Sequence, residues 1–188
     1  MARTKRTSFA VLGMLMAGPR TGYDLKRDFD EQVSAFWAES VGQIYPTLHR
    51  LRDQGFVQSE ESKDASGPRR VLYSITPNGK HALLEWLAEP AAPDTVRNEL
   101  LLKVFFGNVA GSQTSIAQIR QYELALKEIK SLYARYEQEI ETREVSPDRR
   151  LYWRVALLSG KFVNDAKLAW CREAISLIEQ NAQSESAK

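Results

Sequence analysis

The residues with the most recognition chemistry lie between Ser40 and Gly55, in the stretch SVGQIYPTLHRLRDQG. Its apolar residues recur at gaps of three, four and three, which places them on one stripe of a helix: Val41, Ile44, Leu48 and Leu51. Amide, hydroxyl, imidazole and guanidinium groups point away from that stripe, on Gln43, Thr47, His49 and Arg50, with Tyr45 and Arg52 on its flanks. A helix of this kind can read base edges in a major groove. The alternative is a surface helix with a solvated polar face.

The rest of the sequence contains no pattern typical of a catalytic or metal site. The two histidines, His49 and His81, stand alone, without the cysteine or carboxylate spacing of a metal site. No phosphate-binding loop, dinucleotide fingerprint, nucleophile elbow or zinc-protease motif occurs in the sequence. We therefore expect no enzyme, no metal and no cofactor.

Composition predicts an ordinary globular protein of a reducing compartment. The 188 residues are 43% hydrophobic and 27% charged, with a formal net charge of +2, so any basic surface must arise by local placement. The single cysteine, Cys171, can form no disulfide within the chain, and no apolar run approaches eighteen residues, which favours a cytoplasmic protein without a membrane span. The start of the chain, with Arg3, Lys5 and Arg6 before FAVLGMLMAG, has the composition of a signal peptide. A buried first helix with a basic flexible arm ahead of it is the preferred interpretation.

The N-terminal half predicts three helices. The first covers residues 8–17 and is stopped by Pro19. Thr21 is an N-cap for a second helix that runs to about Trp37, with Asp24 in its first turn. The third is the stretch described above, which ends at Gly55 as a C′ glycine; Pro46 must lie in its first turn or two, or mark a bend.

A β-hairpin and a fourth helix follow. Residues 56–59 and the alternating run 71–75 flank the Gly-Pro turn of the loop KDASGPRR, which is typical of a hairpin. Thr76 and Pro77 form an N-cap and first helical position for a helix that runs to about Ala88. This order predicts a winged helix-turn-helix domain over residues 1–89, and Lys63, Arg69 and Arg70 would give its wing a phosphate-reaching tip.

Several segments of this half resemble the PadR family of bacterial transcriptional regulators. GYDL, IYPTLHRL, QGFV and YSITPNGK carry the resemblance, in this order, across roughly residues 9–89. More loosely, VRNELLLKVFF and YWRVALLSGKF with AKLAWCREAI resemble the C-terminal helices of the longer-tailed branch of that family. The resemblance implies a homodimer whose third helices and wings contact operator DNA, with ligand control at the C-terminal domain in some members.

The C-terminal half, residues 90–188, predicts a mainly helical dimerisation domain after the linker EPAAP. We expect a helix over residues 95–107 with Leu100, Leu101, Val104 and Phe105 buried, and then a loop. Apolar residues next repeat as three heptads, typical of a coiled coil: Ile119, Tyr122, Leu126, Ile129, Tyr133, Tyr136 and Ile140. Ser146 and Pro147 start a last helix, which reaches about Glu179.

That last helix has two apolar rows, which predicts a partner subunit. One row is Leu151, Val155, Leu158 and Phe162, and the other is Tyr152, Val163, Trp170, Ala174 and Leu177. A helical hairpin cannot cover both rows by itself, so we predict a two-fold dimer through these helices. The alternative is an exposed amphipathic surface on a monomer.

These patterns assign roles to individual residues. Gln43 and Arg50 are predicted to contact bases, and Tyr45, Thr47 and His49 either bases or phosphates. The phosphate contacts are predicted to be Tyr23, Lys63, Arg69 and Arg70, with Arg3 and Lys5 on the flexible arm. For Tyr23 and Tyr45 the alternative is packing in the core.

A small-molecule effector is a further expectation. Trp37, Tyr152, Trp153, Phe162 and Trp170 are predicted to line a cavity for a planar aromatic or phenolic ligand, with ordinary core packing as the alternative. The sequence as a whole predicts a mainly α DNA-binding protein that represses transcription and binds a pseudo-palindromic operator as a homodimer. The alternative function is a helical adaptor that binds protein and not DNA.

Overall fold

The computed structural model describes residues 2–32, 41–62, 70–93 and 97–186. The chain forms two compact units, Met1–Pro93 and Asp94–Lys188. The sequence pattern placed this division four residues earlier, after Glu89.

The first unit is a winged helix-turn-helix domain, as predicted. Its elements in chain order are α1 Ala2–Leu15, β1 Arg20–Thr21, α2 Gly22–Gln32, a 3-10 turn Val41–Gln43, α3 Ile44–Asp53, β2 Val57–Ser62, β3 Arg70–Ile75 and α4 Pro77–Ala88. The three strands form an antiparallel sheet in the order β1-β3-β2. Side chains from the helices and the sheet make one core, which includes Leu12, Leu25, Leu48, Val57 and Leu83. The third helix thus rests on this core by its apolar stripe.

Local capping chemistry fixes the ends of the helices that position α3 and the hairpin. Thr21 Oγ1 accepts from the Asp24 N–H at 3.0 Å and donates to its carboxylate at 2.8 Å, which is a reciprocal cap of α2. Thr76 Oγ1 accepts from the Gly79 N–H at 3.1 Å at the start of α4, and Gly55, at φ +72°, ends α3. Pro46 is the third residue of α3, where its missing N–H breaks no helical hydrogen bond. These four expectations are confirmed.

One expectation for this unit is wrong, and one strand was not predicted. The first helix begins at Ala2 and not near residue 8, so the backbone of Arg3 and Lys5 is helical and not a flexible arm. The segment contains neither proline nor glycine, and nothing in it opposes extension of the helix toward the N-terminus. Strand β1 was not expected, because two residues are too few to show an alternating pattern.

The second unit is a long helical hairpin with two short helices ahead of it. It comprises α5 Glu99–Phe105, α6 Gly107–Ala110, α7 Ser112–Thr142 and α8 Pro147–Ser186. Helices α7 and α8 pack antiparallel, since Arg120 pairs with Glu179 at one end and Lys161 with Glu137 near the other. Leu101 and Phe105 are exposed, so their expected burial is wrong, and the segment after Gly107 is helical where a loop was expected.

The heptad residues of α7 are used largely within the chain. Ile119, Leu126 and Tyr133 are buried, and the first two share a core with Leu168 and Cys171 of α8. Asn164 Nδ2 donates to the Leu126 carbonyl at 3.2 Å in the same interior. The buried row of α8 therefore runs through Leu157, Asn164, Leu168 and Cys171. The first row predicted from the sequence is exposed, whereas Trp170 and Ala174 of the second row pack against this core and the other members of that row are exposed.

Candidate nucleic-acid interface

The outward face of α3 is polar and accessible. Gln43 and His49 are exposed, Tyr45 is 50% exposed, and Arg50 is half-buried. The only charged side chains of α3 besides Arg50 are at its C-terminal end, where Arg52 Nη2 lies 3.6 Å from Asp53 Oδ1. Amide, phenol and imidazole groups on this face are the kinds of donor and acceptor that read base edges.

Thr47 does not belong to this face. Its side chain is fully buried in the domain core, and its hydroxyl has no hydrogen-bond partner among the described residues. Ile44, Thr47, Leu48 and Leu51 are spaced i, i+3, i+4 and i+7, which places Thr47 on the apolar stripe. The prediction that Thr47 contacts DNA is therefore wrong.

A cleft of about 600 Å³ brings three of the predicted DNA contacts together. Tyr23 from the start of α2, Tyr45 from α3 and Arg70 from β3 all line it. Tyr23 is 66% exposed, so neither tyrosine is a core residue, which settles the alternative left open by the sequence. Arg27 also lines the cleft and was not singled out from the sequence, although it lies one helical turn after Tyr23.

Strand β1 explains why the start of α2 lies beside the wing. Thr21 pairs with Leu72 and Arg20 with Tyr73, so the residue before α2 is fixed on β3. Arg70 lies two residues from Leu72 on the same strand. The cleft is lined by residues of β3, of the start of α2 and of α3. The sheet therefore places a cation of the wing near the first turn of a helix, where backbone N–H groups also attract anions.

The acidic residue of this cleft is already engaged. The Thr21 hydroxyl, above all, stabilises the carboxylate of Asp24 and lowers its pKa; burial opposes this, while Arg27 and Arg20 assist. Arg27 Nη2 lies 3.4 Å from Asp24 Oδ1. Part of the Asp24 charge is thus offset, and the cleft can accept an anion with less repulsion than a lone carboxylate would cause.

Gly22 makes room for the ring of Tyr45. A Cβ atom on Gly22 would lie 2.5 Å from Tyr45 Cε1 and 2.8 Å from its Cζ. The absence of a side chain at the first position of α2 therefore lets the phenol of α3 lie against that helix, with its hydroxyl at the cleft.

The remaining predicted DNA contacts fall outside what the structure describes. Lys63 and Arg69 lie between the described ranges, and for Arg3 and Lys5 only the helical backbone is described. The described end of the hairpin is Arg70, which is exposed.

The predicted effector residues do not come together within the described chain. Trp37 lies outside the described residues, Tyr152 and Phe162 are exposed, and Trp170 packs against the core of the second unit. Trp153 and Trp170 are 17 residues apart on one continuous helix, about 25 Å along its axis, which is too far for one small-molecule cavity. The prediction that one cavity of a protomer uses all of them is wrong. Trp153 instead has the guanidinium groups of Arg143 and Arg149 each 6.0 Å from its ring centre.

Metal and membrane features are absent from the described part of the chain. No group of three or more histidine, cysteine or acidic side chains there could hold a metal ion. None of the described helices combines the length and apolarity needed to cross a bilayer.

Two sequence models together match most of the chain. The model of the transcriptional regulator PadR-like family matches residues 11–85, and that of the C-terminal domain of virulence activator alpha matches residues 96–179. The negative transcriptional regulator PadR of Bacillus subtilis is 27% identical over 181 residues, covering 92% of this chain and 97% of that protein.

Solved structures agree with the sequence matches. Bacillus subtilis PadR in complex with operator DNA superposes with a TM-score of 0.79 at 26% identity, covering 92% of this chain and 98% of that one. The same protein in complex with p-coumaric acid gives a TM-score of 0.75 at 25% identity, covering 94% and 97%.

Proposed function

This chain belongs to the PadR family of transcriptional regulators, and from that premise we propose that it binds operator DNA as a homodimer and represses transcription. The observation that carries the proposal is the cleft in which Tyr23, Tyr45 and Arg70 meet beside the exposed face of α3. Bacillus subtilis PadR, which superposes on 92% of this chain, was solved in complex with operator DNA. The expected place of action is the cytoplasm.

The residues of the first unit make two kinds of contact with DNA: phosphate contacts that position the protein and base contacts that recognise the sequence. Arg70 and the hydroxyls of Tyr23 and Tyr45 bind phosphate oxygens, which fixes the register of α3 on the duplex. Gln43 and Arg50 then reach base edges, the amide suiting adenine and the guanidinium guanine. His49 adds a donor or acceptor on the same exposed face. Lys63 and Arg69 extend the wing toward the backbone of the DNA.

Two such domains are needed to read a pseudo-palindrome. A dimer presents two α3 helices to successive major grooves, one helical turn of DNA apart. Helix α8 exposes the apolar row predicted from its spacing, which supports association through the second unit; its residues are Leu151, Val155, Leu158 and Phe162.

The salt dependence of DNA binding tests the proposal. Fragments bound by the purified chain would first be selected from random duplex DNA, and the affinity for the best one measured between 50 and 300 mM salt. Four or five phosphate contacts per subunit predict that log affinity falls with log salt at a slope of about −7 to −9 for the dimer. A protein that shifts no duplex, or binds without salt dependence, would support the adaptor alternative.

We propose a phenolic acid as the class of effector, because the relative PadR was solved with p-coumaric acid. The measurement is release of the selected DNA by hydroxycinnamic acids, with cinnamate as the matched control that lacks only the phenol hydroxyl. Release only by the phenolic acids supports the class, and equal release by cinnamate contradicts it.

A further inference from the structure

Helices α5 and α6 carry an apolar surface that the chain leaves open. Five large side chains within nine residues are between 45% and 83% exposed; they are Leu101, Leu102, Phe105, Phe106 and Val109, and we call them the α5–α6 patch. Val104, by contrast, packs into the core of the hairpin. The two short helices thus turn most of their large apolar side chains outward. Exposed apolar clusters of this size mark interaction surfaces.

Helix α8 carries a second open surface. Leu151, Val155, Leu158 and Phe162 are 49% to 68% exposed, and we call them the α8 row. They follow gaps of four, three and four, the spacing of a helix that packs along another helix. The opposite side of α8 is already occupied by α7, through Leu157 and Asn164.

The two surfaces lie at opposite ends of the same hairpin. The α5–α6 patch is next to the start of α7, where Val104 packs near Ile119 and Cys171. The α8 row lies near the turn of the hairpin, flanked by the Arg154–Glu141 and Lys161–Glu137 ion pairs. The hairpin is about 45 Å long, so one surface cannot fold onto the other within a protomer.

A second copy of the chain can cover both surfaces at once. Two hairpins related by a two-fold axis and running antiparallel bring the turn of each to the base of the other. Nine large apolar side chains at the observed exposures leave on the order of 1,000 Å² per protomer, which is what one side of a stable interface requires. Both surfaces are made of aliphatic and phenylalanine side chains, so each is a suitable partner for the other.

We infer that the homodimer of the proposed function forms by packing the α5–α6 patch of each subunit on the α8 row of its partner. The contact occurs twice, and each half joins two different surfaces. This inference rests on the proposed function for the existence of a dimer and goes beyond it in assigning the faces.

The test uses charge complementation between two full-length variants. One is Phe105→Lys with Phe106→Lys, and the other is Leu158→Glu with Phe162→Glu. All four side chains are exposed in the protomer, so helicity by circular dichroism should be retained. Each variant alone places charge against an apolar surface in both halves of the dimer. We expect its dimer dissociation constant, measured by sedimentation, to rise on the order of 100-fold.

Mixing the two variants separates this interface from its alternatives. The mixed dimer has one half with lysines facing glutamates and one half unchanged, so the mixture should regain dimers that neither variant forms. If α8 instead packed on α8 of the partner, the lysine variant would stay dimeric and mixing would restore nothing, which overturns the inference. Should a variant lose helicity, the test is repeated with two other variants of the same surfaces. One carries Val109→Lys and the other carries Leu151→Glu.

Failure of the proposed function gives a different result. Unmodified protein that sediments as a monomer would remove the dimer itself. Unmodified protein that is dimeric and binds DNA, together with a lysine variant that stays dimeric, would remove only the assignment of faces.

Discussion

At the scale of single residues, the exposure of a few polar side chains decides their role. Tyr23 and Tyr45 lie on the surface, while Thr47 lies in the core although its side chain carries a hydroxyl. The spacing from Ile44 places Thr47 on the apolar stripe, but spacing leaves the two tyrosines open, because a tyrosine carries an apolar ring that packs and a hydroxyl that bonds. The folded structure is needed to show that both tyrosines are exposed.

Arg70 is expected to bind phosphate and therefore to act without regard to sequence. Replacing Arg70 by alanine should weaken binding to selected and unselected duplexes by the same factor. It should also make the salt slope of the dimer shallower by about 2, one phosphate per subunit. Arg135→Ala is the control, since it removes the same charge from an exposed position of the second unit. A larger loss on the selected sequence would instead indicate a base contact.

Gln43 is expected to carry sequence information. Gln43→Ala should relax the preference at one base pair of each half-site by about 1–3 kcal/mol while leaving the affinity for unselected DNA unchanged. Binding to a set of duplexes with every single substitution measures this. Equal loss on every duplex would show that Gln43 binds the backbone of the DNA.

The lowered pKa of Asp24 predicts a pH-dependent contribution to stability. The folded state favours the carboxylate, so this contribution is present above the usual pKa of an aspartate and is lost as pH falls through the lower folded-state value. Asp24→Asn should lower the free energy of unfolding by about 1 kcal/mol at pH 7, the typical size of a capping interaction. Urea denaturation at pH 7, 5 and 3 should show the difference from the unmodified protein shrinking in acid. A constant difference would contradict the assignment.

At the scale of elements, the sequence predicts structure where the cause is local. Thr21 and Thr76 start helices and Gly55 ends one, through hydrogen bonds or backbone angles within a few residues, so their roles could be predicted from the local sequence. Strand β1 exists only because β3, about fifty residues later, pairs with it, so the local sequence could not predict this strand. The cleft depends on that pairing, which is why Arg27 was missed.

The two long helices show the same limit. The heptads of α7 correctly indicated a helix that packs along another helix, but the spacing cannot say whether the partner is in the same chain. The buried row of α8 includes Asn164 and Cys171, which a search for large apolar residues passes over. The first row predicted from the sequence in consequence faces outward, and of the second row only Trp170 and Ala174 pack against the core.

The junction of α2 with α3 predicts an effect on binding that is separate from stability. Gly22→Ala would force the Tyr45 ring aside, and because this ring is half-exposed it can move at small cost. Stability by thermal unfolding should change by less than about 1 kcal/mol, since alanine is also a better helix residue than glycine. DNA affinity should fall as far as in Tyr45→Ala, and the double variant should be no worse than either single one. Additive losses would show that the two residues act independently.

At the scale of the whole molecule, the two units are expected to depend on different forces. Contacts of the first unit with DNA rest on cations and polar groups, whose binding releases counterions and weakens steeply with salt. Association through the second unit rests on apolar side chains, which salt weakens little. We therefore expect that raising salt from 50 to 300 mM releases the DNA while the protein remains dimeric.

Sedimentation of the free protein and anisotropy of labelled DNA, at the same protein concentrations, measure both equilibria. Thermal unfolding of the free protein should depend on its concentration and not on salt, because dissociation accompanies unfolding of a dimer. Dissociation of the free dimer in step with release of DNA would place charged groups at the subunit contact. The apolar surfaces of α5, α6 and α8 would then need another partner.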